Sequence, residues 1–337
     1  MKKLIIIFSI LTVISCNQSS DYRELFNSAK EKTDNNNYSE AINILDDVIK
    51  IKPDFDSAYV ERAYNYLQIE KPENALKDAN KAIEIKYDNL SAYFIRGMIY
   101  GFIYDYEKAL NDYTHIIRIG DSTYMNVALR ERAYIYYNTN EIDKAIVDLT
   151  YIIESDSFSY ESYVSRGIAK LRMDVYQKYS DSIKIALNDT ALYEDFFKYF
   201  KIAYSGNNYS SIMYDTRGAI QDFNEALMIN PNYDFAYFNR AKVYEELNLF
   251  DNALADINKA IKLNNKSDYY MSRAIIYKSL KETEKSLNDF NKAIELNPKN
   301  GFAYINRGYL KREQLNDKKG AEKDIKMAGK LGIETDE

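Results

Sequence analysis

Seven arginine–aspartate couples run through the chain at a near-constant interval. They are Arg62/Asp78, Arg96/Asp112, Arg132/Asp148, Arg166/Asp222, Arg240/Asp256, Arg273/Asp289 and Arg307/Asp324, and five of them are 16 residues apart. A guanidinium and a carboxylate can close on each other as a two-pronged ion pair, or both can turn outward as a ladder for a charged ligand. The spacing favours the pair. Near the N-terminus Ser28 and Ile44 stand where the couple would be, so both partners are missing together, as expected if each Arg is held by the Asp that follows it in its own unit. Removing one side would cost ~3–5 kcal/mol if the pair is buried and less than ~1 kcal/mol if it is exposed. Other chemistry lacks reagents. His115 is the one histidine and Cys16 the one cysteine, which excludes a metal site built of His and Cys, and no glycine-rich phosphate loop is present. Adjacent carboxylates such as Asp46 and Asp47 read as the solvated face of a helix. The expectation is a protein that is not an enzyme and carries no metal or cofactor.

Cys16 closes a distinctive N-terminal stretch, MKKLIIIFSILTVISC, with a basic start and an apolar run from Leu4 to Ile14. That run is too short to span a bilayer and suits an export signal. Val13-Ile14-Ser15-Cys16 resembles a bacterial lipobox, which implies that residues 1–15 are removed and that Cys16 is acylated. Several acyl chains at ~0.8 kcal/mol per buried CH₂ give stable anchoring. Residues 16–21 then form a short tether, and Asn17 and Gln18, in place of an Asp after the lipidated Cys, point to the outer membrane in the sorting scheme this resembles. Loss of Lys2 and Lys3 would take the formal charge from −6 to −8, which disfavours non-specific nucleic-acid binding.

The elements that must position the couples are helices. Only 11 Gly and 4 Pro occur in 337 residues, too few for a turn-rich β fold. In residues 234–266, Tyr237, Ala241 and Tyr244 recur at helical spacing, and beyond Leu247-Asn248 so do Ala253, Ile257 and Ala260. This is a helical hairpin, and it is repeated. The small residue of the first helix reads Ala29, Ala63, Gly97, Ala133, Gly167, Ala241, Ala274, Gly308; that of the second reads Ala41, Ala75, Ala109, Ala145, Ala219, Ala253, Ser286, Ala321. The order of large, small and aromatic positions, at a period close to 34, resembles the tetratricopeptide repeat (TPR). The resemblance implies an all-α, right-handed α-solenoid of about eight TPR hairpins, near residues 22–55, 56–89, 90–123, 126–159, 160–233, 234–266, 267–300 and 301–334. The fifth carries a helical insertion, 173–213, since Arg166 and Asp222 are 56 apart. Within it Tyr193, Phe196, Phe197, Phe200 and Tyr204 form an apolar stripe, either packed on its neighbours or projecting toward a partner. Departures from the family pattern include the absence of Trp, Lys170 and Lys311 where an aromatic is usual, and one extra residue in the last hairpin.

In the family the concave face is lined by first helices. Its places map here to Tyr64, Phe94, Met98, Phe102, Arg130, Tyr134, Tyr137, Phe238, Lys242 and Tyr309, an aromatic-rich set suited to a peptide or partner helix. The places of the family's clamp for acidic C-terminal tails hold Ser57, Val60, Glu61 and Tyr64, which do not supply it. The resemblance thus implies a membrane-anchored, non-catalytic scaffold for a protein or peptide at the bacterial cell envelope, without nucleic acid or small-molecule cofactor. A rival is a glycan-binding lipoprotein of an outer-membrane nutrient-uptake system, which the many Tyr permit and the lack of Trp opposes.

Overall fold

A computed structural model describes residues 22–172 and 212–333, and all regular structure in them is helical. Successive helices pair as hairpins: α1 (22–34) with α2 (Tyr38–Ile51), α3 (Asp56–Gln68) with α4 (Pro72–Ile85), α5 (Leu90–Phe102) with α6 (Tyr106–Ile119), and α7 (Ser122–Asn138) with α8 (Ile142–Ser155). Then come α9 (Tyr160–Arg172) with α10 (Ile212–Ile229), α11 (Asp234–Glu246) with α12 (Phe250–Leu263), α13 (Ser267–Ser279) with α14 (Thr283–Leu296), and α15 (Gly301–Glu313) with α16 (Lys318–Lys330). The chain divides into two compact units, one ending at Asp148 and one beginning at Leu149, with the division inside α8. The expected leader, Cys16, and most of the expected insertion, including Tyr193, Phe196, Phe197, Phe200 and Tyr204, lie outside the described residues. Ile212 and Met213, placed with the insertion by spacing, belong to α10.

Local signals set the helix ends. Asn89, Asp121, Asn300 and Asp317 cap the helices that follow them through side-chain oxygens, and Pro72 opens α4, where a missing N–H costs nothing. Capping by Asp121 starts α7 at Ser122, four residues ahead of the repeat boundary expected from spacing. Between the two helices of a hairpin the chain turns through one residue with positive φ: Asn36, Glu70, Tyr104, Asn140, Asn248, Lys281 and Asn316. The next N–H then reaches back five residues, as Asp105 N does to Tyr100 O at 2.9 Å, or six in the last hairpin, from Asp317 N to Lys311 O, closing the last turn of the first helix.

Small residues let the paired helices meet. Ala41, Ala75, Ala109, Ala145, Ala219, Ala253 and Ser286 are all fully buried, and the Ser286 hydroxyl donates to Ala274 O at 2.8 Å. At two seams crossed by a ring the facing residue is glycine: a methyl at Gly97 would stand 2.8 Å from the Tyr113 ring, and one at Gly167 2.8 Å from Phe223. Tyr113 and Phe223 are in turn 2% and 0% exposed, so the volume missing on one helix is filled from the other.

Candidate functional site

The seven couples close as ion pairs within their own hairpins. Arg62 is held by Asp78, Arg96 by Asp112, Arg132 by Asp148 and Arg166 by Asp222. Arg240 is held by Asp256, Arg273 by Asp289 and Arg307 by Asp324. In every couple the Arg donates from Nε and Nη2 to the two carboxylate oxygens, a two-pronged grip at 2.6–3.1 Å.

Spacing left open how deep these pairs lie, and the structure settles it. Asp78, Asp112, Asp148, Asp222, Asp256, Asp289 and Asp324 are all buried. Their side chains are 4–10% exposed and the Arg side chains 16–21%, which places the couples at the costly end of the range for breaking such a pair. The alternative of an outward ladder for a charged ligand is thereby corrected: the carboxylates are enclosed between two helices and each is gripped by the arginine of its own hairpin, so they do not face outward. These aspartates belong to the framework and not to a binding site.

The remaining Nη1 donates backward to the preceding hairpin, reaching Asp46, Asn80, Thr114, Thr150, Asn224, Asn258 and Asn291 from Arg62 through Arg307 in turn, at 2.5–3.2 Å. Tyrosine rings complete the setting: Arg62 lies 5.6 and 5.9 Å from the Tyr59 and Tyr66 rings, Arg240 likewise from Tyr237 and Tyr244, and Arg273 5.3 and 5.9 Å from Tyr270 and Tyr277. In hairpins five and eight the second ring is replaced by Lys170 and Lys311, and each places Nζ 2.8 Å from the same Asp that holds the Arg. Burial works against the Asp324 charge, but hydrogen bonds from Arg307 and Lys311 outweigh it and hold the carboxyl below its ordinary range.

These couples are internal, so a partner must be met elsewhere. Each unit offers a groove along its first helices. In the N-terminal unit a groove of about 730 Å³ is walled by Leu67 and Gln68 of α3, by Met98, Gly101 and Phe102 of α5, and by Glu131, Tyr134 and Ile135 of α7. Tyr113 and Tyr106 of α6 close it from below, and the turn residues Glu70 and Tyr104 stand at its edge. Phe102, Tyr134 and Tyr104 are 48%, 63% and 78% exposed. Burial, opposed only by neighbouring Arg130, raises the Glu131 carboxyl, and Glu131 has no hydrogen-bond partner among the described residues. In the C-terminal unit a groove of about 340 Å³ lies between α11, α13 and α15, lined by Phe238, Lys242, Glu245, Asp268, Met271, Ile275 and Phe302 among others. Here Lys242 Nζ sits 5.7 Å over the Phe238 ring. Burial and Glu246 raise Glu245, with Lys242 acting against them.

Comparison with known proteins agrees with this geometry. Profiles described as tetratricopeptide repeat match residues 56–89, 236–267 and 267–300. The chain carries tetratricopeptide repeats. It is 25% identical over 244 residues to tetratricopeptide repeat protein 6 of Homo sapiens, and 27% identical over 235 residues to a TPR repeat-containing protein of Methanocaldococcus jannaschii. In both cases the match covers 69% of this chain and 37% of the relative. Among solved structures, a tetratricopeptide repeat protein of Parabacteroides merdae superposes with a TM-score of 0.57 at 17% identity, over 91% of this chain and 98% of that one. The C-terminal part of a TPR repeat-containing protein of Cytophaga hutchinsonii gives 0.53 at 17% identity, over 82% and 97%.

Of the ten TPR first-helix residues expected to meet a partner, Met98, Phe102 and Tyr134 line the first groove, and Phe238 and Lys242 the second. The other five do not line either. Tyr64 packs on the cluster around Ala63 and Leu67, and Phe94 lies against the Tyr113 and Tyr124 rings at 5.9 and 6.4 Å. Tyr137 is half-buried, Arg130 is exposed beside the groove, and Tyr309 is flanked by Lys278 and Arg312 at 5.9 and 5.0 Å. The same TPR face serves both the groove and the joint between hairpins, so a place in the repeat does not decide which. Spacing missed Glu70, Tyr104 and Glu131. A signal for the first two was present: they stand at turn places where four other copies have Asn. Among the described residues no group of His, Cys, Asp and Glu could hold a metal ion, and no helix is long and apolar enough to cross a membrane.

Proposed function

We propose that this TPR chain is a non-catalytic scaffold, anchored to the bacterial envelope through an acylated Cys16, that holds a protein or peptide partner in the groove of its N-terminal unit. TPR stacks are surfaces for other proteins, and the observation that carries the assignment is the groove itself. Met98, Phe102, Tyr104 and Tyr134 present apolar and aromatic surface around an open trough of about 730 Å³. Exposed apolar surface collected in one concavity is the mark of an interaction site. Support for the anchor is the apolar run ending at Cys16 in the sequence.

Gly101 supplies the test. A Cβ added there meets no atom within 4 Å, so Gly101→Leu starts a side chain into the trough from open space, and replacing a helical glycine removes a cost of about 0.5–1 kcal/mol. Affinity capture from solubilised envelope with the full chain is expected to retain a protein, and the Gly101→Leu chain to release it with no loss of thermal stability. Equal retention by both chains would sink the groove assignment. For the anchor, Cys16→Ser is expected to leave the protein unacylated and in the soluble fraction; continued acylation would refute it.

A further inference from the structure

We infer that the groove of the N-terminal unit is specific for an arginine side chain carried between apolar residues of a peptide. The inference rests on the partner-binding reading above and adds the chemistry of what is bound. The protein itself shows what a combination of tyrosine rings and a carboxylate accommodates. In the ladder, a guanidinium lies 5.2–5.9 Å from one or two rings while a carboxylate grips its edge. The groove gathers the same groups, Tyr104, Tyr106 and Tyr134 with Glu131, and no cation is among the residues lining it. Its charged members are Glu70 and Glu131 alone. Glu131 and Tyr113 both line the trough, and the Glu131 charge adds to burial in raising that phenol.

A desolvated carboxylate without a partner is a standing cost, and an incoming cation removes it. Arginine fits better than lysine, because its planar head can stack on a ring and accept a two-pronged grip at once. Leu67, Met98 and Phe102 supply the apolar flanks. A second copy of this chain is a poor occupant, since a formal charge of −6 opposes an acidic groove. The C-terminal groove does not share the specificity: Lys242 already stands there beside Glu245.

The probe is an acetylated, amidated peptide with one central arginine flanked by leucine and phenylalanine, compared with its citrulline and lysine twins by titration calorimetry on the full chain. The arginine peptide is expected to bind about tenfold more tightly than the citrulline peptide, equivalent to about 1.4 kcal/mol, with lysine between. Glu131→Gln is expected to erase that preference, and Gly101→Leu to abolish binding of all three. Equal affinity for arginine and citrulline, or a preference that survives Glu131→Gln, overturns the arginine specificity while leaving a peptide groove in place. Binding of all three that is indifferent to Gly101→Leu, or no binding by any, removes the groove reading and this one together. Concentration-dependent dimerisation abolished by Gly101→Leu would instead make a second copy the occupant and overturn both.

Discussion

The two grooves are built on the same framework and differ in what their walls leave unpaired. Around each, three consecutive first helices are held by bidentate Arg–Asp pairs, from Arg62/Asp78 to Arg132/Asp148 in one unit and from Arg240/Asp256 through Arg273/Asp289 to Arg307/Asp324 in the other. The N-terminal groove has no cation in its lining, Arg130 acting on Glu131 only from beside it, and displays Tyr104 at 78% exposure. The C-terminal one carries Lys242 on Phe238, and its Asp268 accepts from Asn300 at 3.2 Å. A repeat scaffold therefore separates two tasks within one 34-residue unit: the residues facing the partner helix of the hairpin are kept uniform, and the few facing outward vary freely.

The largest effects should be the same in both units. Asp112→Ala and Asp256→Ala each leave a half-buried guanidinium with its carboxylate gone, and each is expected to lower unfolding free energy by ~3–5 kcal/mol in chemical denaturation. A loss under ~1 kcal/mol in one unit only would break the claim of a common framework. Smaller effects should separate the units. Tyr104 and Lys281 occupy the left-handed turn place at φ 63 and 61, where a side chain of their kind costs up to about 1–2 kcal/mol and Asn costs less. Tyr104→Asn and Lys281→Asn are each expected to raise stability by about 1 kcal/mol, but only the first should weaken peptide binding. A loss of binding with Lys281→Asn would shift the site toward the C-terminal unit.

The smallest effect concerns Glu131 and pH. Burial raises its carboxyl in the folded chain, so the folded state holds more proton than the unfolded one between the ordinary and the raised value. Its contribution is therefore present below the ordinary carboxylate pKa and is lost as pH rises through the raised one. Asp324, held below its ordinary range, runs the other way and loses its contribution as pH falls. Glu131→Gln should make stability less dependent on pH across the acid-to-neutral range and leave the protein more stable at neutral pH. In the C-terminal unit burial raises both Glu245 and Glu246, so one substitution there should not flatten the curve. If Glu245→Gln matches Glu131→Gln, the contrast between the grooves is weaker than drawn.

Much of the framework could be read from residue types alone. Alanine or glycine at two places in nearly every copy announces helix pairs in close contact, and the joint absence of Arg and Asp from the first hairpin identifies each arginine's main partner. Burial of the pairs was not legible, because Asp78 or Asp289 reads like any helical carboxylate until the neighbouring helix covers it. The third contact was only half legible: two residues after the aspartate position stands Asn in Asn80, Asn224, Asn258 and Asn291, but Asp46, Thr114 and Thr150 break the pattern and share with them only an oxygen. Lys170 and Lys311 looked like lapses from an aromatic pattern and are second cations on Asp222 and Asp324. The groove was half legible. Met98, Phe102 and Tyr134 follow from their place on a first helix, whereas Tyr104 sits in a turn and Glu131 reads as a solvated charge until the helices beside it are known.

The backward contact of each arginine gives the stack a direction. Asp46 in the first hairpin receives Arg62, yet that hairpin has Ser28 where the later ones carry their paired arginine. Every later one arrives with a cation whose third donor finds an acceptor only on the hairpin made before it. A chain that appears N-terminus first presents its units in just that order, so each arginine can find its third acceptor on a neighbour already in place.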